Sequence, residues 1–210
     1  MRPVHAGHHP WCAGAPAATV YRMSGSTTIG VLVVDDHPAV RAGLRALIDA
    51  EADMRAVGEA CDEFTLLPAL HRFEPDVVLL DYQLPGTNGI ALCLRLKAGL
   101  RPPKILIYSS FVAPSMAIPA RIAGADALVD KGVPPRELAA TIRRVASGGS
   151  AAPEITPEAM ALAAELIETE DLPILGMLAN RVTLPDIAAT LDLTGEELHQ
   201  RTRRILDVLA

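Results

Sequence analysis

The sequence predicts an α/β protein, a doubly wound five-stranded parallel sheet followed by a small all-α domain. Three observations predict it. Short apolar runs such as Ile29–Val34 and Asp76-Val-Val-Leu-Leu-Asp81 are bounded by turn residues and read as strands buried on both faces. Such runs alternate five times with helical segments, which argues for parallel pairing with helices on both faces. After about residue 149 only helical signals remain, and 210 residues suit one domain of about 120 residues plus a smaller one.

In chain order, residues 1–28 are rich in Ala, Gly, Pro and His and show no periodicity, so they read as a disordered N-terminal extension. His5, His8, His9 and Cys12 do not amount to a metal site, no apolar core of a signal peptide is present, and Met23 looks like a natural start. Ile29–Val34 is the first strand. Residues 38–51 form a helix with Val40, Leu44, Leu47 and Ile48 on one stripe and Pro38 where a helix tolerates it. Met54–Ala60 is the second strand, and Asp62–Phe73 a helix with Pro68 awkwardly inside. The third strand ends at Asp81. Gly89–Ala98 is helical, and Lys104–Ser109 is the fourth strand. Residues 111–124 should hold another helix but contain Pro114 and Pro119, and an interior Pro costs on the order of 3 kcal/mol. The fifth strand ends at Lys131, and Pro135–Ser147 closes the unit with Leu138, Ile142 and Val145 inward.

The strand ends carry the chemistry. Asp35 and Asp36 follow the first strand, Asp81 ends the third, Ser109 the fourth, and Lys131 follows the fifth. In an open α/β sheet, ligands bind outside the carboxyl ends of the strands. One Asp there could simply cap the next helix, as Asp36 could before His37-Pro38. Two strand ends with the same chemistry favour a site. Three converging carboxylates repel one another, and a hard cation relieves this; without a Cys or His cluster, Mg²⁺ suits them better than Zn²⁺. The hydroxyl and the ammonium complete a set able to hold a phosphoryl group.

Asp35-Asp36-His37-Pro38, Asp81 with Leu84-Pro85-Gly86 and Gly89, Ser109 and Lys131 together resemble the receiver domain of NarL/FixJ-like two-component response regulators. The spacings of 28 residues from Asp81 to Ser109 and 22 from Ser109 to Lys131 agree. The resemblance implies a flavodoxin-like receiver over residues 29–149 with strand order 2-1-3-4-5. It implies that Asp81 is the phosphoacceptor for a sensor histidine kinase, and that the protein is not an enzyme. It also implies that Asp36, Asp81 and the backbone carbonyl of Gln83 bind Mg²⁺ directly, that Asp35 acts through water, and that Ser109 and Lys131 sense the phosphoryl group. Two features depart from the family: Leu128 stands at the switch position usually held by an aromatic residue, and the prolines fall in the fourth helix.

Ser147-Gly-Gly-Ser-Ala-Ala-Pro153 is a flexible linker by composition, and a helix capped by Thr156 with Pro157 at its first position runs to about Glu168, so residues 150–169 read as linker and linker helix. Residues 187–198 have the rhythm of a helix, a tight turn and a second helix. Leu178-Ala179, Asp186-Ile187-Ala188, Leu191, Leu193-Thr194, Leu198 and Arg203-Arg204-Ile205-Leu206 resemble the LuxR-type helix-turn-helix domain, over residues 170–210 and truncated before that family's dimerising fourth helix. The resemblance implies transcriptional control, homodimerisation, and DNA contacts from His199, Arg201, Arg203 and Arg204. Charge points the other way. Residues 151–210 hold eleven acids and four arginines, a net −7, whereas DNA binders present basic residues to phosphates. Glu197 belongs to a Thr194-Gly-Glu-Glu197 capping box, yet still sets negative charge on the reading helix. Two readings stay open: a DNA-binding transcriptional regulator, and a phosphorylation-controlled protein-interaction module that has lost DNA binding.

No apolar run approaches the roughly 20 residues that span a bilayer, so the expectation is a cytoplasmic protein without a membrane partner. Cys12, Cys61 and Cys93 read as buried or free thiols, not as bridges or metal ligands.

Overall fold

A computed structural model describes residues 28–209, apart from 100 and 153. The expectations for residues 1–27 lie outside these. Five parallel strands form one sheet: β1 (Ile29–Val34), β2 (Met54–Ala60), β3 (Val77–Asp81), β6 (Lys104–Ser109) and β7 (Ala127–Asp130), in the order β2-β1-β3-β6-β7. This is the expected 2-1-3-4-5 arrangement. A two-stranded hairpin not foreseen from the sequence, β4 (Gln83–Leu84) with β5 (Thr87–Asn88), stands beside the strand ends and turns at Gly86, whose φ of 78° suits glycine.

Alternate strand residues supply two apolar layers. Leu32, Val34, Val78, Leu80, Ile105 and Ile107 pack with residues of α2 (Glu63–Phe73), α3 (Gly89–Lys97) and α4 (Ala117–Ile122). Val31, Val33, Val77, Leu79 and Leu106 pack on the other face with α1 (Pro38–Asp49) and α5 (Pro135–Ala146), through Leu44, Ile48, Leu138, Ile142 and Val145. The period of two along a strand divides its side chains between the faces, and both faces are covered.

Local signals explain most helix starts. Asp62 and Thr65 form a capping box on α2, Asn88 caps α3 by accepting from Ala91 N–H, and Pro38 begins α1. The residue at the N-cap of α1 is His37, without a side-chain cap bond, so the capping alternative for Asp36 is not what forms here. The prolines shorten α4. Residues 114–116 form a 3-10 turn and the helix runs for six residues from Ala117, which brings Pro119 into the first turn, where the N–H has no helical partner anyway.

The linker is held in place. Ala151 N–H and Ser150 Oγ–H both donate to the Asp126 carbonyl, at 2.9 and 3.2 Å, and Ala151 bridges β7 at Ala127. Then come α6 (Pro157–Leu166), a 3-10 turn at Thr169–Asp171, α7 (Leu172–Ala179), α8 (Leu184–Leu191) and α9 (Gly195–Leu209). Pro173 lies in the first turn of α7, where it does no harm. These helices pack on the α3–α4 side of the sheet: Ile174, Leu175, Leu178, Ile205 and Leu206 join the apolar layer that holds Ile118 and Ile122. Arg121 donates to the Ala179 carbonyl across this contact.

Cys93 is a buried free thiol, pushed up to about 12 by burial. Cys61 is not free, which corrects the expectation of free thiols, and Cys12 lies outside the described residues. No helix among the described residues is long and apolar enough to cross a membrane.

Candidate functional site: an acidic pocket at the strand ends

The parallel register brings the ends of β1, β3, β6 and β7 to one edge. There Asp81 lies opposite Tyr108, and Ser109 opposite Asp130. Asp35 and Asp81 are buried, at 1% and 5% exposure, whereas the Asp36 side chain keeps about a third of its surface. The Lys131 ammonium sits 2.7 Å from Asp35 Oδ2 and 3.0 Å from Asp81 Oδ2. Its backbone N–H donates to the Ser109 carbonyl at 2.7 Å, which fixes the lysine at the end of the sheet. Of the expected residues, Asp35, Asp36, Asp81, Ser109 and Lys131 are therefore gathered on one edge. Gln83 is next to them, its N–H donating to Asp81 Oδ1 at 3.3 Å. Ser109 Oγ is turned aside, donating to the Phe111 carbonyl at 2.8 Å. Leu128 is half-buried against the α3–α4 layer.

Burial raises the Asp81 carboxyl above the usual carboxylate range; Lys131 opposes this and the Asp35 charge adds to it. On Lys131, burial acts downward, but the hydrogen bonds to Asp35 and Asp81 outweigh it and raise the ammonium above its ordinary value. Three carboxylates against one ammonium leave an excess of negative charge. Ligand atoms of Asp35, Asp36, His37 and Asp81 all lie within 4.8 Å of one another. Asp36 Oδ1 is buried without a well-formed hydrogen bond, and His37 Nδ1 lies 2.6 Å from it. The donor set fits a hard divalent ion. A pocket of about 550 Å³ opens over these groups, with Phe111 and Met116 also in its lining.

Three supporting residues were not read from the sequence. Arg41 is buried on the inward stripe of α1 with Leu44 and Ile48, and its NH1 donates to the Asp35 carbonyl at 2.7 Å while Nε reaches Glu59 at 3.3 Å. A charge at a core position was the available signal. Tyr108 donates its hydroxyl to the Lys131 carbonyl at 3.2 Å. His37 belongs to the ligand cluster itself. Gly89 allows the crowded start of α3: a Cβ there would lie 2.5 Å from the Asp81 carbonyl oxygen.

At the C-terminal end the structure separates the four expected DNA-contacting residues. Arg201 Nε and Arg204 Nε donate to the two oxygens of buried Asp171, at 2.6 and 3.0 Å, and Arg204 also meets Glu170. Arg203 is exposed and His199 half-buried. Glu197 accepts from Thr194 N–H and Oγ–H, the expected capping box, and these bonds hold its carboxyl below the usual range.

The family model for the response regulator receiver domain matches residues 31–143. The DNA-binding transcriptional activator DevR/DosR of Mycobacterium tuberculosis is 30% identical over 190 residues, covering 85% of this chain and 87% of that protein. The response regulator protein VraR of Staphylococcus aureus is 29% identical over 189 residues, covering 87% and 90%. Among solved structures, a LuxR-family two-component response regulator from Aurantimonas superposes with a TM-score of 0.56 at 32% identity, covering 66% of this chain and 96% of that one.

Proposed function

The chain belongs to the response regulator receiver family, and from that membership we propose that a sensor histidine kinase phosphorylates Asp81 and that the phosphorylated protein controls transcription through its C-terminal helices. The observation that carries this reading is the convergence of Asp35, Asp36 and Asp81 on Lys131 at one sheet edge. An Asp81 carboxylate oxygen attacks phosphorus, the O–P bond forms, and the P–N bond to the donor histidine breaks. Lys131, already 3.0 Å from Asp81, meets the charge on the transferred group. Ser109 donates a hydrogen bond to it after releasing the Phe111 carbonyl. Asp36, Asp81 and the Gln83 carbonyl, with Asp35 through water, would hold Mg²⁺, which when bound neutralises phosphoryl oxygens. Leu128 occupies the switch position without an aromatic ring, so the output change relies on other contacts. Self-association belongs to the same reading.

Incubation with acetyl phosphate and Mg²⁺ tests the acceptor by intact mass: one phosphoryl group is expected on the wild type and none on Asp81→Asn. Full labelling of the variant would overturn the assignment.

A second reading has its own support. With Arg201 and Arg204 engaged by Asp171 and a net charge of −7 over residues 151–210, the C-terminal helices offer few groups to a polyanion. In that case the phosphorylated protein acts through a protein partner. Anisotropy titration of phosphorylated protein with random-sequence duplex at low salt separates the two. Salt-dependent binding within the roughly 10⁻⁴ to 10⁻⁶ M range of nonspecific complexes supports DNA as the target, and weaker binding supports a protein.

A further inference from the structure

We infer that His37 is a fourth protein donor in the acidic pocket, and that it biases the site toward borderline first-row divalent ions over Mg²⁺. This rests on the reading of the pocket as a metal site. The cluster has two halves. Lys131 meets Asp35 and Asp81, whereas Asp36 Oδ1 is buried without a well-formed hydrogen bond and has His37 Nδ1 2.6 Å away. The half without the lysine therefore sets a carboxylate oxygen against an imidazole nitrogen, and both residues line the pocket.

The backbone prepares this nitrogen. His37 precedes Pro38, which restricts it to extended conformations, and its φ and ψ are −87° and 114°. Its N–H donates to Asp35 Oδ1 at 2.8 Å, so the same residue that bears the imidazole is tied to a second carboxylate of the cluster. Bonds of about 2.0–2.2 Å put donors on opposite sides of an ion roughly 4.0–4.4 Å apart. The ligand atoms of Asp35, Asp36, His37 and Asp81 all lie within 4.8 Å of one another, a span that suits one ion with Asp35 reached through water.

Ligand type then decides between metals. Mg²⁺ takes oxygen donors and retains several waters, so an imidazole adds little to its affinity. Imidazole suits first-row ions, whose affinities for nitrogen-containing sites rise along the series from Mn²⁺. A pocket with Asp35, Asp36, Asp81 and His37 thus discriminates by its nitrogen.

Calorimetric titration of the full chain with MgCl₂ and with MnCl₂ tests this, using wild type, His37→Ala and Asp36→Asn. His37 is exposed and makes no side-chain cap, so its replacement leaves α1 intact. In His37→Ala, Mn²⁺ affinity should fall about tenfold while Mg²⁺ affinity changes less than about twofold. Electron spin echo modulation of bound Mn²⁺ should show a ¹⁴N coupling in the wild type that His37→Ala removes; the other histidines are common to both proteins and cannot account for the difference. Unchanged Mn²⁺ affinity, or a ¹⁴N signal that survives, would reduce the His37–Asp36 contact to a simple ion pair and overturn the inference. Asp36→Asn should weaken both metals. If it weakens neither, the metal reading of the pocket itself falls, and with it the role of His37.

Discussion

At the residue scale, Asp81 is held at a cost to the fold. A carboxyl whose folded value is raised binds its proton more tightly folded than unfolded, so at pH 7 the ionised form weakens the native state. That penalty is present above the folded value and disappears as pH falls below the unfolded one. Asp81→Asn, with no charge to bury, should therefore raise Tm at pH 7 in metal-free buffer; a lower Tm would show that the Lys131 pair outweighs burial. By mass action, a divalent ion at tenfold its Kd should stabilise the wild type by about 1.4 kcal/mol, or roughly 3–6 °C, and EDTA should reverse it. Arg41 acts from behind. Arg41→Met strips a buried charge-assisted bond from the Asp35 carbonyl and leaves that acceptor unpaired, so urea denaturation should show a loss of about 2–3 kcal/mol. The carboxylates were legible in the sequence because each ends an apolar run. Arg41 and His37 were not: Arg41 falls on the inward stripe of α1, but what it bonds there, like the contacts of His37, is set only in three dimensions.

At the element scale, the start of α3 determines how closely a helix approaches Asp81. Gly89→Ala would drive a methyl to 2.5 Å from the Asp81 carbonyl oxygen and 2.9 Å from Tyr82 Cα. Backbone must yield, which should cost about 1–3 kcal/mol and slow labelling by acetyl phosphate. Normal stability with normal labelling would show that α3 can slide away freely. Strands and most helices could be read from periodicity and caps. The β4–β5 hairpin could not, since two-residue strands carry no period. The prolines correctly flagged the region of α4, but the register was settled by tolerance for proline in a first turn.

At the scale of the whole molecule, the sheet unit and the C-terminal helices share an apolar layer through α4, α7 and α9. Calorimetry of the unmodified protein should therefore give one cooperative transition, and Ile118→Asp should split it in two. Two transitions in the wild type would show that the shared layer does not couple them. This docking was not legible in the sequence, because Ile118, Ile174 and Ile205 are ordinary inward positions of their own helices, and only the fold makes them neighbours.

The linker carries a consequence of another kind. By composition, Ser147–Pro153 is where a protease should cut first. Yet the Ser150 hydroxyl and the Ala151 N–H are bonded to Asp126, whose carboxylate is in turn gripped by Lys97, Lys104 and the Ile105 N–H. Cleavage at Ala151 must wait until this stretch peels from the sheet. Susceptibility to digestion there reports how often the linker leaves the sheet edge, and makes nicking a clock for that event.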